Sequence, residues 1–214
     1  VDIFDLEAFD RAPLQRDPCD FIVVPGFVKA EALDAINRDY PDITTPGNFA
    51  PETLGYGPAF GAMIDALNSP ELKQRYSEKF GLDLDDYLLQ MTVRKYSELS
   101  DGNIHNDSKL KIITSLIYFN EEWPHQGGRL RLLNSSWNIE DYAAEVTPER
   151  GTLIAFRRNE RSFHGFKKME GERRSLQMYW VKRKRASSAG QKRVGIKKMI
   201  KRVLKLRPRW SSKG

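Results

Sequence analysis

The most restrictive feature of this chain is a change of rhythm near residue 86. From there on, short runs alternate polar and apolar residues: "YLLQMTVRKY" (87–96), "KIITSLIYFN" (111–120), "GGRLRLLN" (127–134), "AEVTP" (144–148), "GTLIAF" (151–156) and "RSLQMYWV" (174–181). Gly, Pro, Asn and charged residues separate them. Period-two alternation rich in β-branched and aromatic residues is the pattern of half-buried strands. The stretch before them reads differently. "DFIVVPGFVKAEALDAINRDY" predicts a short strand, a turn at Pro25–Gly26 and a helix from about Lys29 to Asp39. Residues 41–60, rich in Pro, Gly, Thr and Asn, read as loop, and a helix is expected over about 58–67. Another begins at "NSPELKQRYSEKFG", with Ser69 as N-cap, Pro70 at the first helical position and Gly81 as the stop. Helices followed by six or more turn-separated strands predict a mainly β fold with flanking helices (α+β). The specific expectation is a jelly-roll, cupin-like barrel with the N-terminal helices packed on one sheet.

Strand parity then sorts the side chains. In the last strand Arg173, Ser175, Gln177 and Tyr179 share one face, and Leu176, Met178 and Trp180 the other. The apolar face is expected under the helices and the polar face lining a cavity. In the strand after residue 110, Ile112, Thr114, Leu116 and Tyr118 share a face by the same count.

Two of the three histidines fit a metal site. His105 and Asp107 flank one residue, so in extended chain both point to the same side. A second histidine from a distant strand would complete a two-histidine, one-carboxylate facial triad, the donor set of non-haem Fe(II) with open positions. His125 lies in "NEEWPHQGG", a hairpin loop between proline and paired glycines. His164, in "RSFHGF" just after a strand, is the better third ligand. Arg173 follows nine residues later, with Ser175 beside it on the cavity face. A guanidinium there can hold a carboxylate through paired hydrogen bonds, with the serine hydroxyl adding another; unpaired and buried it would be costly. Tyr118 has the parity to join them, and Tyr96, nine residues before His105, is a further candidate. Arg174 points the other way and reads as an exposed arginine on an edge strand.

Composition bounds the rest. At 214 residues the chain can bury a full core, and its single cysteine excludes a disulfide framework or a cysteine-rich zinc site. No run of eighteen apolar residues is present, and "VDIFDLEAFDRAP" lacks the basic-then-apolar order of a secretory leader. A cytoplasmic protein is expected. The net charge of +6 conceals an asymmetry: residues 182–214 hold 14 Lys+Arg and no acid, leaving 21 basic against 29 acidic residues in 1–181. The expected organisation is therefore one domain over 1–181, helical to about 85 and β from about 86, followed by a basic linker and tail over 182–214. In "VGIKKMIKRVLKLRPRW", Ile196, Met199, Ile200 and Val203 fall at helical spacing among lysines and arginines. Such a segment can lie on an anionic membrane surface or an acidic partner, placing the protein at the inner membrane surface; it can also dock on the acidic body. Nucleic acid is the weaker reading, because interleaved aromatics and a recognition fold are lacking.

Residues from about Phe21 to Val181 resemble the Fe(II)- and 2-oxoglutarate-dependent dioxygenases, in their prolyl 4-hydroxylase-like branch. "HND" (105–107), "LIYFNEEW" (116–123), "GGRLRL" (127–132), "TPERGTLIAF" (147–156) and "SFHGFKKMEGERRSLQ" (162–177) carry the likeness, with order and spacing preserved. The resemblance implies a double-stranded β-helix, with His105, Asp107 and His164 as iron ligands and catalytic centre. It implies Arg173 on the distal carboxylate of 2-oxoglutarate, with Tyr118, Ser175 and Tyr96 beside it. The implied cofactors are Fe(II), 2-oxoglutarate and O2, with ascorbate as an accessory. The implied reaction hydroxylates an unactivated C–H bond with release of succinate and CO2. The retained carboxylate Asp107 argues against halogenation. Family substrates range from protein prolyl and other amino-acid side chains to small or glycan-linked molecules, and no motif here selects among them. The alternatives are a catalytically silent β-helix that binds a carboxylate or glycan and is tethered by its tail, and a cupin-like metal protein without 2-oxoglutarate.

Overall fold

The computed structural model describes residues 2–183. Four helices, α1 (Leu6–Arg11), α2 (Ala30–Arg38), α3 (Pro58–Leu67) and α4 (Pro70–Phe80), accompany eight strands. The strands are β1 (Phe21–Val24), β2 (Tyr87–Ser97), β3 (Lys111–Tyr118), β4 (Leu130–Leu133), β5 (Tyr142–Val146), β6 (Leu153–Arg157), β7 (His164–Gly165) and β8 (Gly171–Lys182). They form a five-stranded sheet in the order β1-β6-β3-β8-β2 and a three-stranded sheet in the order β5-β4-β7. Every pairing is antiparallel. This is the jelly-roll arrangement of a double-stranded β-helix, in which two sheets shield each other's inner faces.

The helix boundaries follow from local chemistry. The Ser69 hydroxyl accepts the Leu72 N–H at 3.2 Å, Pro70 occupies the first turn, and Gly81 ends α4 in the left-handed region at φ 61°. Helix α1 and strand β7 were not expected; six and two residues are too short to show a period.

Two cores flank the large sheet. On the helical side, Leu176, Met178 and Trp180 of β8 join Met63, Leu67, Leu72, Tyr76 and Phe80. Between the sheets, Leu116 and Tyr118 of β3 pack with Leu130, Leu132, Ile154 and Phe156. The alternation expected for β8 is therefore the one observed. In β3 it fails at one point. The register shifts between Lys111 and Ile113, and Ile112 packs against the helical-side core rather than sharing the Thr114 face. A bulge adds one residue and reverses parity on one side of it. A second bulge, between Arg94 and Tyr96, does the same in β2.

Candidate metal and cosubstrate site

At one end of the space between the sheets lies a cavity of about 380 Å³. His105, Asp107 and His164 meet on its wall, each offering a ligand atom, all within 4.8 Å of one another. The His-x-Asp pair does not lie within a strand. His105 makes an isolated bridge to His164, its N–H donating to the His164 carbonyl at 3.0 Å and the reverse bond measuring 2.9 Å. The chain then leaves strand geometry until Lys111. His164 arrives because β7 pairs with β4, Leu132 opposite His164, so the chain after β6 crosses from the large sheet to the small one.

The imidazoles are oriented by backbone. His105 Nδ1 donates to the Asn103 carbonyl at 2.9 Å and His164 Nδ1 to the Ser162 carbonyl at 3.0 Å. Both Nε2 atoms are then free to ligate. Burial, then the neighbouring His105, lowers the His164 pKa to about 4, so its imidazole is neutral near pH 7. Asp107 is held on both oxygens: Lys111 Nζ donates to Oδ1 at 2.8 Å and Thr114 Oγ1 to Oδ2 at 2.6 Å. Burial raises its pKa, but His164, Lys111 and Thr114 more than offset this and hold it below the ordinary carboxylate value. Two imidazoles and one ionised carboxylate form a donor set suited to Fe(II).

Arg173 is 1% exposed. Its Nε donates to the Gly128 carbonyl at 2.8 Å and a terminal nitrogen to the Tyr118 hydroxyl at 3.2 Å. Phe166 stacks over the guanidinium at 4.4 Å. No carboxylate among the described residues pairs with it. Burial depresses its pKa and raises that of the equally buried Tyr118. Gly128 must be glycine: at φ 79° a Cβ would stand 2.5 Å from the Trp123 ring. Ser175, on the same side of β8, has a buried hydroxyl with no partner among the described residues. A buried guanidinium bonded to a phenol and left without a protein carboxylate suits an incoming carboxylate.

Not every expected residue is here. Tyr96 does not line the cavity, and Tyr118 and Ser175 are not among its lining residues either, although Tyr118 reaches Arg173. The β2 bulge pairs it with Glu172, on the sheet side opposite Arg173, while Arg94 keeps the cavity face. His125 is remote from the triad, stacked edge-on against Trp123 at 5.0 Å beside a separate cleft. Arg174 is not on an edge strand, because β8 lies between β3 and β2, and it is only partly exposed, reaching Asn37 at 3.2 Å. Four contributors went unnoticed in the sequence. Thr114 had the right parity, but Lys111 was hidden by the β3 bulge. Asn106 and Ser162 link the His-x-Asp loop to the turn before His164: Ser162 Oγ donates to Asn106 Oδ1 at 2.8 Å, and Asn106 Nδ2 to the Asn159 carbonyl at 2.8 Å.

Residues 91–182 match the profile of the 2OG-Fe(II) oxygenase superfamily. No curated protein matches the sequence. Among solved structures, a Pseudomonas putida prolyl-4-hydroxylase superposes with a TM-score of 0.56 at 20% identity, over 78% of this chain and 95% of that one. A Phytophthora capsici prolyl 4-hydroxylase gives 0.55 at 16%, over 86% and 68%. A Trichoplax adhaerens prolyl hydroxylase, solved with a hypoxia inducible factor peptide fragment, gives 0.54 at 15%, over 76% and 83%. Residues 91–182 thus carry the profile of the 2OG-Fe(II) oxygenase superfamily, and the chain shares its fold with these prolyl 4-hydroxylases.

Proposed function

We propose that this protein is an iron(II)- and 2-oxoglutarate-dependent hydroxylase in which His105, Asp107 and His164 hold the metal and Arg173, Tyr118 and Ser175 hold the distal carboxylate of the cosubstrate. The observation that carries this reading is Arg173: a charge buried beside a two-histidine, one-carboxylate cluster with no protein carboxylate to pair it. Iron held there would activate O2 as the oxidant, so that 2-oxoglutarate would lose CO2, one oxygen atom of O2 entering succinate and the other the substrate's C–H bond. The protein's part is positioning. Thr114 and Lys111 fix the plane of Asp107, the two backbone carbonyls fix the imidazoles, and Gly128 and Tyr118 aim the guanidinium. Phe166, Leu116 and Leu130 add apolar walls that exclude water. The substrate is a small molecule or a peptide side chain presenting an aliphatic C–H bond.

The test is anaerobic addition of Fe(II) and 2-oxoglutarate to the purified protein. The expected result is a weak visible charge-transfer band, lost in His164→Ala. In Arg173→Ala, iron should bind while 2-oxoglutarate affinity falls about a hundredfold, the scale of a buried charge-assisted pair. A protein that binds iron but no 2-oxoglutarate would be a metal-binding scaffold instead.

The basic segment 184–214 lies outside the described residues. From its sequence alone we propose that it holds a cytoplasmic enzyme against an anionic membrane surface. The supporting feature is the density of lysine and arginine without any acid.

A further inference from the structure

The cavity is lined by apolar and polar side chains. Leu116 and Leu130 pack in one cluster with Tyr118, and Phe166 covers the Arg173 guanidinium. Lys111, Gln177 and Tyr179 line it as well. Tyr179 of β8 pairs with Thr114 of β3, and Gln177 with Leu116, so Gln177 and Leu116 are neighbours on one face. The Lys111 ammonium stands 3.6 Å over the Tyr179 ring, and Tyr179 donates to the Gln177 amide oxygen. A volume of about 380 Å³ is at the small end for a ligand pocket. Once 2-oxoglutarate fills the space beside Arg173, only a small moiety fits beside Lys111.

Charge decides what that moiety is. The only acids lining the cavity are Asp101 and Asp107. Asp101 is taken by Arg94 at 2.8 Å. A divalent ion and the Arg173 guanidinium together balance Asp107 and a dianionic cosubstrate. The Lys111 ammonium is then left without a counter-charge in a partly desolvated site. Its three donors find one acceptor among the described residues, Asp107 Oδ1 at 2.8 Å, so others are free to point into the cavity. A neutral prolyl side chain would leave that cation unmatched.

We infer that the substrate of this enzyme is a small molecule carrying an anionic group, and that Lys111 receives this group while Gln177 and Tyr179 hydrogen-bond its polar neighbours. Lys111 is thereby a specificity residue as well as a clamp on Asp107. The inference rests on the proposed hydroxylase reading and adds the class of substrate to it.

The experiment uses the full chain loaded anaerobically with Fe(II) and 2-oxoglutarate. The charge-transfer band is monitored while probes are titrated: 2-hydroxy acids and free amino acids, each beside its neutral amide, inorganic phosphate, and an end-blocked prolyl peptide. At least one anion should perturb the band saturably and bind about tenfold or more tighter than its neutral counterpart, as one charge-assisted contact implies. Lys111→Met should abolish that preference and Lys111→Arg should keep it. The inference is overturned if amides or the prolyl peptide bind as well as the acids, if no anion binds, or if Lys111→Met discriminates like the wild type. Should Lys111→Met also lose iron, the acid-against-amide comparison in the wild-type protein decides alone. A wild-type protein that forms no band defeats the hydroxylase reading and this inference with it; a band without anion binding defeats only the inference.

Discussion

Asp107 shows how much of a candidate metal site is built by residues that offer it no ligand atom. Its two oxygens are already engaged by Lys111 and Thr114, and Arg158 Nε donates to its backbone carbonyl at 3.3 Å. One residue earlier, Asn106 ties the loop to Asn159 and Ser162, and the Ser162 carbonyl orients His164. Asn106→Ala should therefore leave the fold intact but lower Fe(II) affinity by about 10–100-fold, the usual cost of losing an outer-shell partner. Metal titration beside a thermal melt checks it; an unchanged affinity would make the Asn106 network a mere loop tether. Cys19 has no part in this chemistry. Burial, then Asp20, raises its pKa from 9.0 to about 12. Between those values the unfolded thiol ionises while the folded one does not, so the unfolded chain binds fewer protons and stability falls as pH rises. The native thiol should resist labelling at pH 8 and react only on unfolding. The stability advantage of the wild type over Cys19→Ala should shrink from pH 9 to pH 12.

Among the elements, α4 is tied to the large sheet by more than apolar contact. The Tyr76 hydroxyl bonds the Ser115 hydroxyl of β3 at 2.9 Å, both fully buried. Tyr76→Phe keeps the ring packing but strands the serine, and should cost about 1–3 kcal/mol in denaturant unfolding with an unchanged m-value. If Ser115→Ala added to it restores most of that loss, the cost is the unsatisfied serine and not the packing. The elements themselves were largely legible in the sequence, because period-two runs and the Ser69–Pro70 to Gly81 signals are local chemistry. So was the cavity face of Arg173, by strand parity, while His105, Asp107 and His164 were marked by residue type, spacing and the family resemblance. What the sequence concealed was set by pairing between distant strands. A bulge at Lys111–Ile113 brought a lysine onto the cavity face and removed Ile112, and a bulge at Arg94–Tyr96 turned the tyrosine off the face that Arg94 keeps. Neither bulge has a glycine or proline to announce it. Strand β7 is two residues long, so the link that presents His164 left no periodic trace.

For the molecule as a whole, the division of charge predicts a division of labour. Residues 1–183 form one compact unit, and its last described contacts are still strand contacts: the Lys182 N–H donates to Leu110 at 3.0 Å and that of Arg183 to Asp86 at 2.8 Å. The site lies entirely within this unit. Acidic residues outnumber basic ones through 1–181, whereas residues 182–214 hold 14 lysines and arginines. Like charge repels the acidic body from an anionic bilayer, so attraction has to come from the basic segment. A chain ending at Arg183 should therefore unfold at the same denaturant midpoint as the full chain and bind Fe(II) and 2-oxoglutarate with the same affinity. The full chain should sediment with vesicles containing anionic phospholipid, while the shortened one should not. Raising salt from about 0.1 M to 1 M, which shortens the screening length from about 10 Å to 3 Å, should release the full chain if charge drives the association. Retention at high salt would point to burial of the apolar residues Ile196, Met199, Ile200 and Val203, and replacing Ile200 and Val203 with serine would then be the change that releases it. Equal sedimentation of both chains, or of neither, would refute the membrane role of the basic segment while leaving the chemistry of the iron site untouched.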